Sequence, residues 1–158
     1  YYHIRDHFVK PEDFRWMTPG GYRFMSAWWN VQVQNSGLFD KNGQRRPAWY
    51  VFQLLSQLRG ERLEVKGATR GIRALAVREN SKTRIACWNF PTGGAGDRQE
   101  VVLRIPGESK GQFRLMKLNA AANRADELRA GEISELARSP LQLTLSPYEL
   151  AWVVIETE

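Results

Sequence analysis

His3 and His7 stand four residues apart, the spacing that sets two imidazoles on one helical face and that metal sites use. A zinc centre needs three or four ligands, and here no Glu directly follows the first His and no third ligand stands at a recognisable distance. The pair is therefore read without a metal. Gly93-Gly94-Ala95-Gly96 has the glycine density of a phosphate cradle, yet no Lys-Ser or Lys-Thr follows it and strand-like segments flank it, so it reads as a hairpin loop. No Gly-x-Ser-x-Gly elbow occurs, and neither His has the partners of a nucleophilic triad. Glu12-Asp13 brings two carboxylates together in a Pro-containing loop, where solvated charge is the simpler account. None of these constellations supplies a catalytic residue, a metal or a cofactor.

Charge does not supply a function either. The formal charge of +6 invites a nucleic-acid reading, but a phosphate-tracking stripe needs clustered cations interleaved with aromatics. Arg5, Arg15, Arg23, Arg59, Arg73, Arg84, Arg104, Arg114 and Arg129 are scattered one per segment, and Arg45-Arg46 is the adjacent pair. No nucleic-acid partner is expected. No apolar run approaches the roughly 20 residues of a membrane span, and the most apolar helix candidate is interrupted by Gln53, Ser56 and Gln57. With 42% hydrophobic residues in 158, the composition suits a folded, soluble chain with a sizeable core. The sequence opens at Tyr1 without an initiator Met or the zones of a signal peptide. The compartment is thus unknown, a secreted or periplasmic bacterial location being compatible. The single cysteine, Cys87, lies in a strand candidate and reads as a buried, inert thiol.

The elements that must position these residues come in two kinds. Residues 1–15 suggest a short helix interrupted at Pro11, followed by an irregular loop through Thr18-Pro19-Gly20-Gly21. Phe24-Met25-Ser26-Ala27-Trp28-Trp29 is a nearly unbroken apolar run, as expected of a strand covered on both faces. After it, Ser36-Gly37-Leu38-Phe39-Asp40-Lys41-Asn42-Gly43 carries the residues of tight turns. Pro47 suits a first helical position and Gly60 a helix exit at positive φ, so a helix is bounded on both sides. Its apolar positions, Trp49, Val51, Phe52, Leu54, Leu55 and Leu58, cover a wide face.

From residue 61 onward the helical period stops. Strands are expected over 62–66, 72–78, 83–90, 100–105, 112–118, 141–145 and 150–156, separated by turn residues such as Glu79-Asn80-Ser81-Lys82 and Ser146-Pro147. Leu141, Leu143 and Leu145 alternate with polar residues, whereas Ala151-Trp152-Val153-Val154-Ile155 is continuous and fits a central strand. Residues 119–139, rich in Ala, Arg and Glu, read as a partly helical excursion between two strands. The fold class is mainly β: an antiparallel β-sandwich over 61–158, preceded over 1–60 by a short α/β remnant.

Ser36-Gly37-Leu38-Phe39-Asp40, Asn42-Gly43 and Arg46-Pro47-Ala48-Trp49-Tyr50-Val51-Phe52-Gln53-Leu54-Leu55 together resemble the carboxy-terminal end of clan A glycoside hydrolases of the β-xylosidase and iduronidase type. There the final strand of a TIM barrel leads through a Gly-Leu turn and Pro-Ala-aromatic-aromatic into the last helix, and a β-sandwich follows. The resemblance implies a retaining mechanism with two carboxylates about 5 Å apart, both on earlier barrel strands and hence upstream of residue 1. It also implies a catalytic barrel as partner and carbohydrate as substrate. Trp28, Trp29 and Asn30 would then close the last barrel strand, where barrel active sites form. An indole face stacks on a sugar ring and an amide bonds ring hydroxyls, so these three are the candidate substrate-binding residues.

Two other roles compete. In a non-catalytic carbohydrate-binding module the sandwich would present Trp88, Phe90, Tyr148 or Trp152 as a sugar platform, although core packing accounts for aromatics in apolar strand runs. In a purely structural role the sandwich would brace the barrel. Either way, residues 24–58 carry more apolar surface than a monomer tolerates, and self-association of the isolated chain is expected.

Overall fold

The computed structural model describes residues 4–6, 8, 10–31, 37–67, 71–91, 96–105, 110–119, 121 and 124–158, the side chains of Pro11 and Val31 excepted. The chain divides into two compact units, residues 1–52 and 53–158. The helix α2, Pro47–Gln57, spans the division.

The second unit is an antiparallel β-sandwich. Strands β1 (Glu61–Leu63), β2 (Ile72–Glu79), β3 (Lys82–Asn89), β5 (Gly111–Asn119), β6 (Arg124–Glu132) and β8 (Leu150–Thr157) form one sheet in the order β1-β2-β3-β8-β5-β6. Strands β4 (Gln99–Leu103) and β7 (Leu141–Leu145) form a second. The central β8 pairs with β3 and β5, Val153 standing opposite both Ile85 and Leu115. Its two faces are both covered. Ala151, Val153 and Ile155 join Phe113, Leu115, Leu141, Leu143 and Leu145 in the core between the sheets, while Trp152 and Val154 pack with Leu54, Leu58, Ala86 and Trp88 on the opposite face. That double covering is why β8 shows no alternation. Each such fully buried Leu, Val or Phe contributes about 1.5–3 kcal/mol.

The remaining strands lie where their patterns place them, with one exception. Residues 124–132, expected in the helical excursion, form β6, and only Ile133–Arg138 is helical, as α3. Pairing with β5 overrides the helix preference of its Ala, Arg and Glu residues. The register slips between Leu115 and Met116, so that Leu128 is the extra residue of a bulge.

The turns use the expected residues. Asn80 takes a φ of 53° in the two-residue connection of β2 to β3. Gly60 follows α2 at a φ of 99°, and a Cβ there would collide with the Arg78 carbonyl.

In the first unit, Pro19–Val31 is the helix α1, not the expected loop and strand. Gly21, Tyr22, Met25, Ser26, Trp29 and Asn30 are half-buried, at helical spacing, and Phe24 and Trp28 are exposed. The run contains Met and Ala, good helix formers, and no β-branched residue. Pro19 opens the helix, with the Thr18 hydroxyl accepting from the Gly21 N–H at 3.2 Å. Of the short helix expected within residues 1–15, residues 1–3, 7 and 9 lie outside the described residues, and the described ones include a 3₁₀ turn at Pro11–Phe14. Arg5 bridges to Phe39.

Candidate functional site

Trp28, Trp29 and Asn30 occupy the last turn of α1. Trp28 is 45% exposed, and its ring meets Trp29 edge-on with centroids 5.9 Å apart. The Lys41 ammonium donates to the carbonyls of Trp29 at 3.4 Å and Asn30 at 2.6 Å, a cation on carbonyls that a helix end leaves without intrahelical donors. The same ammonium stands 4.7 Å from the centre of the Phe8 ring. The turn that carries Lys41 is set by Asp40, whose carboxylate accepts from the N–H groups of Asn42 at 2.9 Å and Gln44 at 2.8 Å. The three candidate residues therefore come together at a helix end, with Trp28 the exposed member.

Behind this turn lies Asp6, completely buried. Its carboxylate is ion-paired with the Arg46 guanidinium and accepts from the Gly37 N–H at 2.8 Å. A Cβ at Gly37 would stand 2.7 Å from that carboxylate oxygen, which explains the glycine. Further along, the Arg45 guanidinium covers the Trp49 ring at 4.0 Å. Residues 37–55 of the motif are thus an anchored loop followed by a helix, and Ser36 lies outside the described residues.

In the second unit the four aromatic platform candidates separate. Trp88 and Trp152 are core residues. Phe90 and Tyr148 are exposed and touch edge-to-face, with centroids 5.9 Å apart. Cys87 is buried, and burial pushes its thiol up to about 11. His3 and His7 lie outside the described residues, as do the central residues of the Gly93–Gly96 loop. Among the described residues, no three His, Cys, Asp or Glu side chains gather in a metal-binding group, and no helix is long and apolar enough to cross a membrane.

No protein-family model and no curated protein sequence matches the chain. Its fold does match solved structures, all at low identity. A GH30 endoxylanase from Clostridium papyrosolvens C71 superposes with a TM-score of 0.58 at 11% identity, over 98% of this chain and 41% of that one. The GH39 enzyme from Xanthomonas axonopodis pv. citri gives 0.55 at 12%, over 77% of this chain and 32% of that one. A monomeric beta-xylosidase from Caulobacter crescentus CB15 gives 0.54 at 14%, again over 77% and 32%. The chain thus shares the fold of part of these glycoside hydrolases and spans less than half the length of each.

Proposed function

We propose that this chain is the carboxy-terminal accessory region of a larger retaining glycoside hydrolase. A barrel preceding it supplies the acid/base and nucleophilic carboxylates, and the sandwich braces that barrel without carrying out chemistry. The observation that supports this reading most is the order of parts: the Gly-Leu turn and the Pro-Ala-Trp-Tyr helix run directly into an antiparallel sandwich. Parts of glycoside hydrolases share that fold. Because two of those neighbours are a beta-xylosidase and an endoxylanase, xylose-configured β-linked substrates are the first to test.

In this reading the end of α1, a helix and not the last barrel strand, presents Trp28 with Trp29 and Asn30 as one wall of a substrate subsite, and the barrel covers the apolar side chains that α1 now exposes. The test is hydrolysis of aryl β-xylosides by the longer protein and by the 158-residue chain. The expected result is turnover by the longer protein and none by the chain. Equal turnover per mole by the chain alone would overturn the accessory role, and unchanged kinetics in folded Trp28→Ala and Trp29→Ala forms of the longer protein would remove the subsite.

A further inference from the structure

The sandwich holds a cleft of about 440 Å³, within the roughly 300–1,000 Å³ of small-molecule sites. Lys117 and Asn119 of β5, Asp126 and Leu128 of β6, and Tyr148 and Glu149 ahead of β8 line it. Three separate stretches of chain converge there.

The Tyr148 backbone is the first sign of a purpose. Its φ of 65° lies in the left-handed region that a bulky residue adopts only at a cost. The side chain does not offset that cost by burial, being 67% exposed. The turn that imposes the conformation is held from below by Asn89, itself 1% exposed. The Asn89 amide donates to the carbonyls of Asp97 at 2.8 Å and Leu145 at 3.0 Å, and its backbone carbonyl accepts from the Tyr148 N–H at 2.8 Å. Phe90 braces the Tyr148 ring edge-to-face. On the facing strand, the β6 bulge turns out Leu128, which is 52% exposed. A rigid aromatic ring and an aliphatic side chain are both held outward at the same cleft.

The polar groups are preset and mutually neutralised. Glu149 Oε2 lies 2.5 Å from the Lys117 ammonium and accepts from the Ser146 N–H at 2.7 Å, leaving Oε1 outside both bonds. Lys117 also donates to the Thr144 carbonyl at 3.2 Å, which uses two of its three protons. Asp126 accepts from Asn119 at 2.9 Å and from Arg124 at 2.6 Å, and a carboxylate has roughly four acceptor sites. Each carboxylate is matched by a cation, so the cleft favours neither anions nor cations. What remains is acceptor and donor capacity beside an apolar ring, which suits a neutral polyhydroxylated ring with an apolar face.

We propose that this cleft is a saccharide-binding site for a neutral pyranose unit. The sugar lies on Tyr148, and its hydroxyls are shared among Asp126, Glu149, Lys117 and Asn119. The site lies wholly within the sandwich and does not depend on the barrel, so its failure would leave the accessory role standing.

The test is calorimetric titration of the 158-residue chain with xylotriose, cellotriose and mannotriose, with glucuronate and glucosamine as charged probes. Saturable binding of at least one neutral trisaccharide is expected, with at least ten-fold weaker binding in Asn119→Ala. Tyr148→Gly suits the backbone conformation, so it should fold as well as the native chain while losing the binding. Arg62→Ala, on β1 at the opposite edge of the sheet, should bind normally. No heat with any of the three trisaccharides, retained affinity in Tyr148→Gly, binding lost in Arg62→Ala instead, or tighter binding of a charged probe would each overturn the proposal.

Discussion

Asp6 and Arg46, forty residues apart in the chain, form a buried ion pair that fixes the loop leading into Pro47. The Asp6 side chain has no exposure and that of Arg46 only 16%, so removing one partner strands the other charge away from water. Losing one member of a buried pair costs about 3–5 kcal/mol. Asp6→Ala should therefore destabilise the first unit by that order, seen as an earlier loss of Trp49 fluorescence in denaturant. A change within about 0.5 kcal/mol, the range of ordinary surface substitutions, would mean that the pair does not hold the loop.

Glu149 gives the sandwich an acid limit. Burial raises its pKa, but the Lys117 ammonium and the Ser146 N–H together outweigh that effect and hold it below the ordinary carboxylate range. A carboxyl depressed in the folded state contributes stability that is complete above its unfolded value of about 4.3 and is lost as pH falls through the lower folded value. Thermal melts between pH 7 and pH 3 should show a fall below about pH 4 that is smaller in Glu149→Gln. An equal acid fall in both proteins would remove Glu149 as its source.

Cys87 should be silent to thiol reagents in the native protein. It is 1% exposed, and its thiol is pushed up to about 11 by burial, so almost no thiolate exists at neutral pH. Ellman's reagent should react fully only after denaturation, and stoichiometric reaction within minutes under native conditions would contradict this packing.

The apolar side chains that α1 leaves outside, Phe24 at 67% and Trp28 at 45% exposed, should drive association of the isolated chain. Light scattering is expected to give a mass above 18.2 kDa that returns toward it in Phe24→Ser/Trp28→Ser. A native chain that stays monomeric at high concentration would contradict the expectation.

The sandwich was legible wherever one physical cause set the pattern. Leu141, Leu143 and Leu145 face the core while Gln142 and Thr144 do not, and the alternation located β7 to the residue. The unbroken run of β8 reported burial on two faces. β6 was hidden because it is an edge strand of helix-forming residues whose alternation is broken by the Leu128 bulge. Residues 24–29 were misread for another reason: periodicity cannot separate a short apolar run in a buried strand from one in a helix, and the lack of β-branched residues and the Thr18-Pro19 ahead of the run were the signals for a helix. The saccharide cleft left little trace, because Lys117, Asp126 and Glu149 come from separate stretches that meet only through sheet pairing. Tyr148 was among the four platform aromatics named from the sequence; its position in a turn, where a Gly or Asn is the ordinary occupant, was the further signal that singled it out from the other three.

The most direct test of the accessory role is the reading frame immediately upstream of the Tyr1 codon. In a glycosidase it continues for roughly 250 residues of alternating strands and helices, with a Glu at the carboxyl end of two strands and glycosidase activity lost when either becomes Gln. A start codon or secretion signal adjoining Tyr1 would contradict it and leave a freestanding β-sandwich that binds carbohydrate without cleaving it.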